Sequence, residues 1–317
     1  MYFAAVDERR YREAEERLWA DAGATPTEHR LHLRRNDVAV RVQEVGDGPP
    51  VLFIHGGPGA SGAVWAHLAA RLPDLRCLLL DRPGTGLSTP SPLPGPAAVR
   101  HESESLVVDV LDALELDVAH LVGSSHGSYV ALLSAAAHPD RVDRTVHLGC
   151  PGFIEGMTLT AADRIILLPG ARHLFALARP SEKSLCKTLR TLGHADTLER
   201  GRLSPAMIDW CLAVQRHTDT MRNELASMAA MGTFRRGFDR SLTIEPETLG
   251  AVTSPTYFLW GTNEVYGDAE VGRRAVDAMP SAQIEFMPDA GHLCWFDDLD
   301  HAAEVVRCHL LDSTRSR

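Results

Sequence analysis

The segment Gly123-Ser124-Ser125-His126-Gly127 constrains this chain more than any other. It follows the apolar run 118–122 and precedes the small-residue segment 129–137, so it reads as strand, sharp turn and helix. A nucleophile elbow of the G-x-S-x-G type needs that context. The turn strains the backbone at Ser125 and brings neighbouring segments so close that the flanking glycines have no room for a Cβ. The serine hydroxyl is lifted to the top of a sheet, above the start of a helix. The plain alternative is an ordinary glycine turn.

Two further segments bear on that choice. Upstream, Val51-Leu52-Phe53-Ile54 runs into His55-Gly56-Gly57-Pro58-Gly59, a buried strand ending in a loop whose amides a ligand can approach. Downstream, the strand-like run 283–287 leads to Asp289-Ala290-Gly291-His292. A serine nucleophile needs a base to take its proton, and His292 is the candidate.

With these segments the chain resembles the α/β-hydrolase family, specifically its cap-bearing branch with an HGGPG-like loop, over roughly residues 30–312. The landmarks are 55–59, Asp81-Arg82-Pro83-Gly84-Thr85-Gly86-Leu87-Ser88, Ser125 in its elbow, Trp260-Gly261-Thr262-Asn263-Glu264, and Gly291-His292. The resemblance implies an α/β fold: a mostly parallel central sheet flanked by helices, with a helical cap inserted after the sixth strand. It makes Ser125 the nucleophile and His292 the general base, in the family's chain order of serine, acid, histidine. It places the oxyanion hole at the backbone N–H groups of Gly57 and His126, where such donors contribute roughly 3–4 kcal/mol each.

The triad acid departs from the pattern. The family usually carries aspartate three residues after the glycine that ends the strand 255–260, and here that position is Glu264. Asp268 is the rival acid, with a helix N-cap before 269–279 as its other reading.

At 317 residues the chain is at the upper edge of one hydrophobic core, which suggests a core carrying a large insertion. Residues 1–24 read as an N-terminal amphipathic helix with Tyr11, Ala14 and Leu18 on one face. A hairpin, 29–35 with 38–45, turns at Asn36-Asp37. Apolar runs at 77–80, 118–122 and 145–148 then alternate with a helical pattern at Leu106, Val107, Val110, Leu111 and Leu114, the signature of a parallel sheet covered on both sides. From 153 to 245 the alternation stops, and 161–168, 183–192, 205–217 and 220–231 read as helices without clear strands. The expected division is therefore a core of 25–152 and 246–317, with 153–245 as a cap over Ser125. Met157, Leu174, Phe175, Trp210, Met221, Met228, Met231 and Phe234 are expected either to roof a pocket or to fill the cap's own interior.

A formal net charge of −10 argues against nucleic acid as a partner. Fifteen histidines show no metal-ligand spacing, so no metal or other cofactor is expected. Six scattered cysteines lack a C-x-x-C pair and most read as small buried hydrophobes; Cys294, two residues after His292, either lines the pocket or packs in the core. No stretch is long and apolar enough to span a bilayer, and the charged Asp7-Glu8-Arg9-Arg10 follows a short start; a cytoplasmic protein without membrane partners is expected. Homo-oligomerisation stays open. Asp81 and Arg82 are expected to form a structural ion pair, and His55 to hydrogen-bond within its own loop. The His126 ring either adds a polar contact to the pocket or fills space.

The resemblance implies a serine hydrolase cleaving an ester or lactone of modest size through an acyl-serine intermediate. A carbon–carbon bond hydrolase would use the same triad. A proline iminopeptidase shares the HGGPG loop but usually differs at the positions of His126 and Arg82-Pro83. A small-molecule receptor with little turnover is the alternative of another class.

Overall fold

The computed structural model describes residues 6–35, 37–168, 170 and 179–311. Eight strands build the main sheet: β1 (Thr27–Leu33), β2 (Val38–Val45), β3 (Pro50–Ile54), β4 (Arg76–Asp81), β5 (Ala119–Gly123), β6 (Val142–Leu148), β7 (Thr256–Gly261) and β8 (Ala282–Met287). Their spatial order is β1-β2-β4-β3-β5-β6-β7-β8. β2 pairs antiparallel with β1 and β4, and the other pairs are parallel. The hairpin register sets Leu33 opposite Val38; of its expected turn residues, Asn36 lies outside the described residues. Because β3 lies between β4 and β5, the winding direction changes there, and the loops after β3 and β5 open side by side. Open α/β sheets bind ligands at such a switch point.

The central strands are continuously apolar because both faces are covered. Along β3, Val51 and Phe53 pack with Trp65 and Leu68 on one face, while Leu52 and Ile54 pack with Leu106 and Val107 on the other. Each such side chain contributes roughly 1.5–3 kcal/mol on burial.

Helix α1 (Glu8–Ala22) starts at Asp7, whose carboxylate accepts from the Arg10 N–H, and stops at Gly23 in the left-handed region. It buries Tyr11, Ala14 and Leu18 as its pattern predicts, and also Glu15. Glu15 is buried because Arg41, fully enclosed on β2, meets it at 2.7 Å. The same guanidinium meets Asp81 at 2.8 Å, and the Tyr11 hydroxyl donates to Glu15 at 2.6 Å. Asp81 also accepts from the N–H groups of Gly62 and Leu87. The expected Asp81–Arg82 pair is therefore corrected: Asp81 pairs with Arg41, and Arg82 points away to a different carboxylate. Asp81 is the last residue of β4 and Arg82 begins the loop that follows, where its side chain turns to the carbonyls of His55 and Gly56.

Between β6 and β7 lie the helices Ala161–Ile166, Glu182–Thr191, Ala195–Glu199, Pro205–His217 and Thr220–Met231, and a ribbon pairing Gly232–Thr233 with Gly237–Phe238. The ribbon and the five-residue helix are additions to the sequence reading, being too short to show a period. Helix α1 lies against Pro205–His217, with the Asp7 N–H on the His217 carbonyl and Arg17 on Asp209. Trp210 is fully buried in that neighbourhood and Phe234 is exposed. Leu174 and Phe175 lie outside the described residues.

Arg41→Ala would leave Glu15 and Asp81 buried without their cation, and breaking a buried pair from one side costs about 3–5 kcal/mol. The expected outcome is a loss of that size in urea unfolding at pH 7 with an unchanged m-value.

Candidate functional site

The elbow forms where β5 hands over to the helix His126–Ala137. Ser125 sits at φ 52° and ψ −119°, a strained conformation for a non-glycine residue. Strain of this kind persists only where the surroundings over-determine it. They do so here: a Cβ on Gly127 would lie 1.9 Å from the Ile54 carbonyl oxygen. The Ser124 N–H donates to that carbonyl at 3.3 Å, and the Gly152 N–H donates to the Ser125 carbonyl at 2.9 Å.

His292 follows β8, and its Nδ1 meets Glu264 Oε2 at 2.8 Å and Oε1 at 3.0 Å. Both side chains are almost fully buried. Glu264 also accepts from the Cys150 N–H at 2.8 Å and the Tyr266 N–H at 3.0 Å. Burial alone would raise this carboxyl; the charge and hydrogen bond of His292, with the two amides, outweigh it and hold the group below its ordinary value. The Tyr266 ring stands edge-on to the imidazole at 4.6 Å. Asp268 is elsewhere, capping the helix Ala269–Asp277 by accepting from the N–H groups of Glu270 and Val271. The structure thus sets Glu264, and not its rival, against His292.

The loop after β3 is braced from below. His55 bonds the Gly56 carbonyl through Nδ1 at 2.6 Å and Thr85 Oγ1 through Nε2 at 3.0 Å. Burial, then the nearby Arg82 charge, pushes the His55 pKa well down. Arg82 donates to the carbonyls of His55 and Gly56, both at 3.0 Å, and to Glu224 at 2.5 Å. Glu224 comes from the helix Thr220–Met231 and accepts the Gly59 N–H at 3.0 Å. Gly57 is therefore held between two fixed neighbours. Burial raises the Glu224 pKa against the opposing pull of Arg82. The sequence reading missed Glu224, since nothing in a helical pattern announces a partner 142 positions away.

Ser125, His126, His292 and Gly57 line one pocket, together with Arg82, Glu224, Asp163 and Tyr266. Its apolar wall contains Phe153, Met157, Leu159, Met228, Met231 and Phe238. Met157, Met228 and Met231 were among the expected roof residues; Phe153, Leu159 and Phe238 were not. The His126 ring packs edge-on against Tyr129 and Phe153, and burial followed by the Arg82 charge lowers its pKa strongly. Cys150 borders the pocket, whereas Cys294 is fully buried with its thiol on the Leu259 carbonyl. Among the described residues no three His, Cys, Asp or Glu side chains gather as a metal site, and no helix is long and apolar enough to cross a membrane.

The model of the alpha/beta hydrolase family matches residues 51–307. The chain belongs to the α/β-hydrolase family. Within it, this α/β-hydrolase is 30% identical over 274 residues to a 2-hydroxy-6-oxononadienedioate/2-hydroxy-6-oxononatrienedioate hydrolase of Cupriavidus pinatubonensis, covering 84% of this chain and 85% of that one. It is 27% identical over 273 residues to a 2-hydroxy-6-oxo-6-phenylhexa-2,4-dienoate hydrolase of Burkholderia cepacia, covering 82% and 87%. In fold it is similar to a carboxylesterase from Bacillus subtilis, at a TM-score of 0.70 and 18% identity over 96% of this chain and 98% of that one. The α/β-hydrolase is accordingly an enzyme of the hydrolase class.

The lowered Glu264 carboxyl has a stability consequence. A carboxylate whose folded pKa is depressed contributes stability above its unfolded value, here near 4.5, and loses it as pH falls through the lower folded value. Glu264→Gln removes this contribution. The stability gap between wild type and Glu264→Gln, measured by urea unfolding, is expected to be full at pH 7 and to narrow below about pH 4.5.

Proposed function

We propose that this α/β-hydrolase is a serine hydrolase in which Ser125 attacks a substrate carbonyl, His292 moves the proton and Glu264 orients the imidazole. The observation that carries the reading is the buried Glu264 carboxylate at 2.8 Å from His292 Nδ1, beside a pocket that Ser125 also lines. With Nδ1–H donating to the carboxylate, Nε2 is left as the proton acceptor. The N–H groups of Gly57 and His126 would receive the oxygen of the tetrahedral adduct. Collapse of the adduct breaks the bond to the leaving group, which takes the proton from His292. Water deprotonated by the same histidine then hydrolyses the acyl-serine and restores Ser125. The chemistry is complete with these side chains and water, so no cofactor is invoked.

The segment 153–245 serves in this reading as the cap, with 25–152 and 246–317 as the core and 1–24 as a helix fastened to the cap. A cap limits water and selects acyl groups. An uncharged small ester with an apolar acyl chain is the proposed substrate. Among the described lining residues, Asp163 and Glu224 bring two carboxyls against the single guanidinium of Arg82, and Glu224 already holds that guanidinium. A dicarboxylate substrate would meet like charge there. The second reading, hydrolysis of a carbon–carbon bond on the same residues, draws on the 30% identity to a dienedioate hydrolase.

Intact-mass labelling with a fluorophosphonate probe, beside turnover of p-nitrophenyl butyrate and of 2-hydroxy-6-oxo-6-phenylhexa-2,4-dienoate, tests the proposal. One adduct is expected on wild type and none on Ser125→Ala. Ester kcat is expected to fall about 10⁶-fold in Ser125→Ala and about 10⁴-fold in Glu264→Gln. A folded wild type without adduct or turnover would overturn the assignment, and faster turnover of the dienoate would put the second reading first.

A further inference from the structure

Three consecutive backbone N–H groups at His292 are captured by a single buried cluster. The Gly291 N–H donates to Asp297 Oδ2 at 2.8 Å. The His292 N–H donates to the Leu192 carbonyl at 2.9 Å, and the Leu293 N–H to His194 Nε2 at 3.0 Å. His194 Nδ1 meets Asp297 Oδ1 at 3.0 Å, and the Thr197 hydroxyl donates to the same oxygen. Arg202 reaches the Asp297 carbonyl. His194 and Thr197 are fully buried, and Asp297 is 5% exposed.

The donors leave only one arrangement of protons. The Leu293 N–H can only donate, so His194 Nε2 must accept and its proton must stand on Nδ1, facing Asp297. Asp297 then receives three donors, from Gly291, His194 and Thr197. The contact is tight: a Cβ on Gly291 would lie 2.5 Å from the Leu192 carbonyl oxygen. The captors come from two distant places. Leu192, His194 and Thr197 belong to the segment between β6 and β7, and Asp297 ends the short helix Cys294–Asp297. None of the four lines the pocket.

We propose that Asp297 and His194 are positioning residues for His292, fastening its backbone to the inserted segment so that the imidazole is presented at a fixed height over Ser125. Glu264 sets the ring's rotation through Nδ1; the cluster sets the backbone from which the ring projects. The inference rests on the reading of His292 as general base. A shift of about 1 Å at a reacting group costs on the order of 10²-fold in rate.

Asp297→Asn replaces one accepting oxygen by an NH₂ that faces donors. It is expected to lower ester kcat about 10²-fold with KM within about twofold. His194→Phe is expected to match it, and His194→Gln, which can keep an acceptor towards the Leu293 N–H, to recover to within about tenfold of wild type. Independently of activity, the low-field proton NMR signal of His292 Nδ1–H, identified by its loss in His292→Gln, is expected to shift or broaden in Asp297→Asn and His194→Phe. Folded variants with wild-type kcat and an unmoved signal would overturn the proposal. Should Asp297→Asn fail to fold, equal kcat and signal in His194→Phe and His194→Gln would overturn it as well. If wild type takes no fluorophosphonate, the hydrolase reading fails, while the NMR signal still decides whether the cluster positions His292.

Discussion

A close approach of two backbone segments sets the geometry of the site. The helix that follows β5 begins so near the end of β3 that residue 127 has no space for a side chain, since the Ile54 carbonyl stands where a Cβ would be. This packing fixes the backbone of Ser125 in a conformation that a free chain would leave. It also brings the glycine loop after β3 alongside the start of that helix. The strain at Ser125, of order 1–3 kcal/mol, is therefore sustained by the sheet's own close packing and not by contacts of the serine side chain.

Around that junction the polar groups are arranged in layers of restraint. Arg41, Glu15 and Asp81 lock α1 to the sheet beneath the loop 81–88. Arg82 and Glu224 tie the glycine loop to the helix Thr220–Met231, and His194 with Asp297 ties the histidine loop to residues 192–197 of the inserted segment. Each link joins a core loop to an element far away in sequence. Buried ion pairs such as Arg41–Asp81 and Arg82–Glu224 add little net stability over well-packed apolar substitutes, because desolvation offsets their attraction. Their effect is geometric: each has one satisfied arrangement, and a loop attached to it has one position.

Much of this was legible in the sequence. The strands and the elbow could be read because burial on both faces writes itself as continuous apolar runs, and because a steric demand for glycine leaves a local pattern. Glu264 could be named because the family resemblance implies an acid three residues after the glycine that ends β7. The partners of Arg82 and Asp81 could not. A charge buried by tertiary contact looks the same in sequence as one in solvent, and Glu15 sits in a helix whose other charges are exposed. Short elements escaped for a related reason: the ribbon Gly232–Thr233 with Gly237–Phe238 is too brief for alternation to register. Of the apolar residues named in 153–245, Met157, Met228 and Met231 line the pocket, Trp210 lies in the interior and Phe234 is exposed, because helical periodicity reports burial without saying against what.

The charge of the pocket wall bears on how one scaffold separates substrates. Arg82 commits Nε and Nη2 to the loop carbonyls and to Glu224, and Glu224 in turn braces Gly59. An anion that drew Arg82 away from Glu224 would loosen the same loop whose amides are proposed to meet the reacting oxygen. The uncharged ester proposed here would make no such demand and would rest on the methionine and phenylalanine wall instead. Burial raises the Glu224 carboxyl, and Arg82 opposes that rise, so each partner of the pair stabilises the charge of the other. On the proposed reading, discrimination against anions follows from bracing the glycine loop with a buried ion pair, a device that would serve position first and selectivity as its consequence.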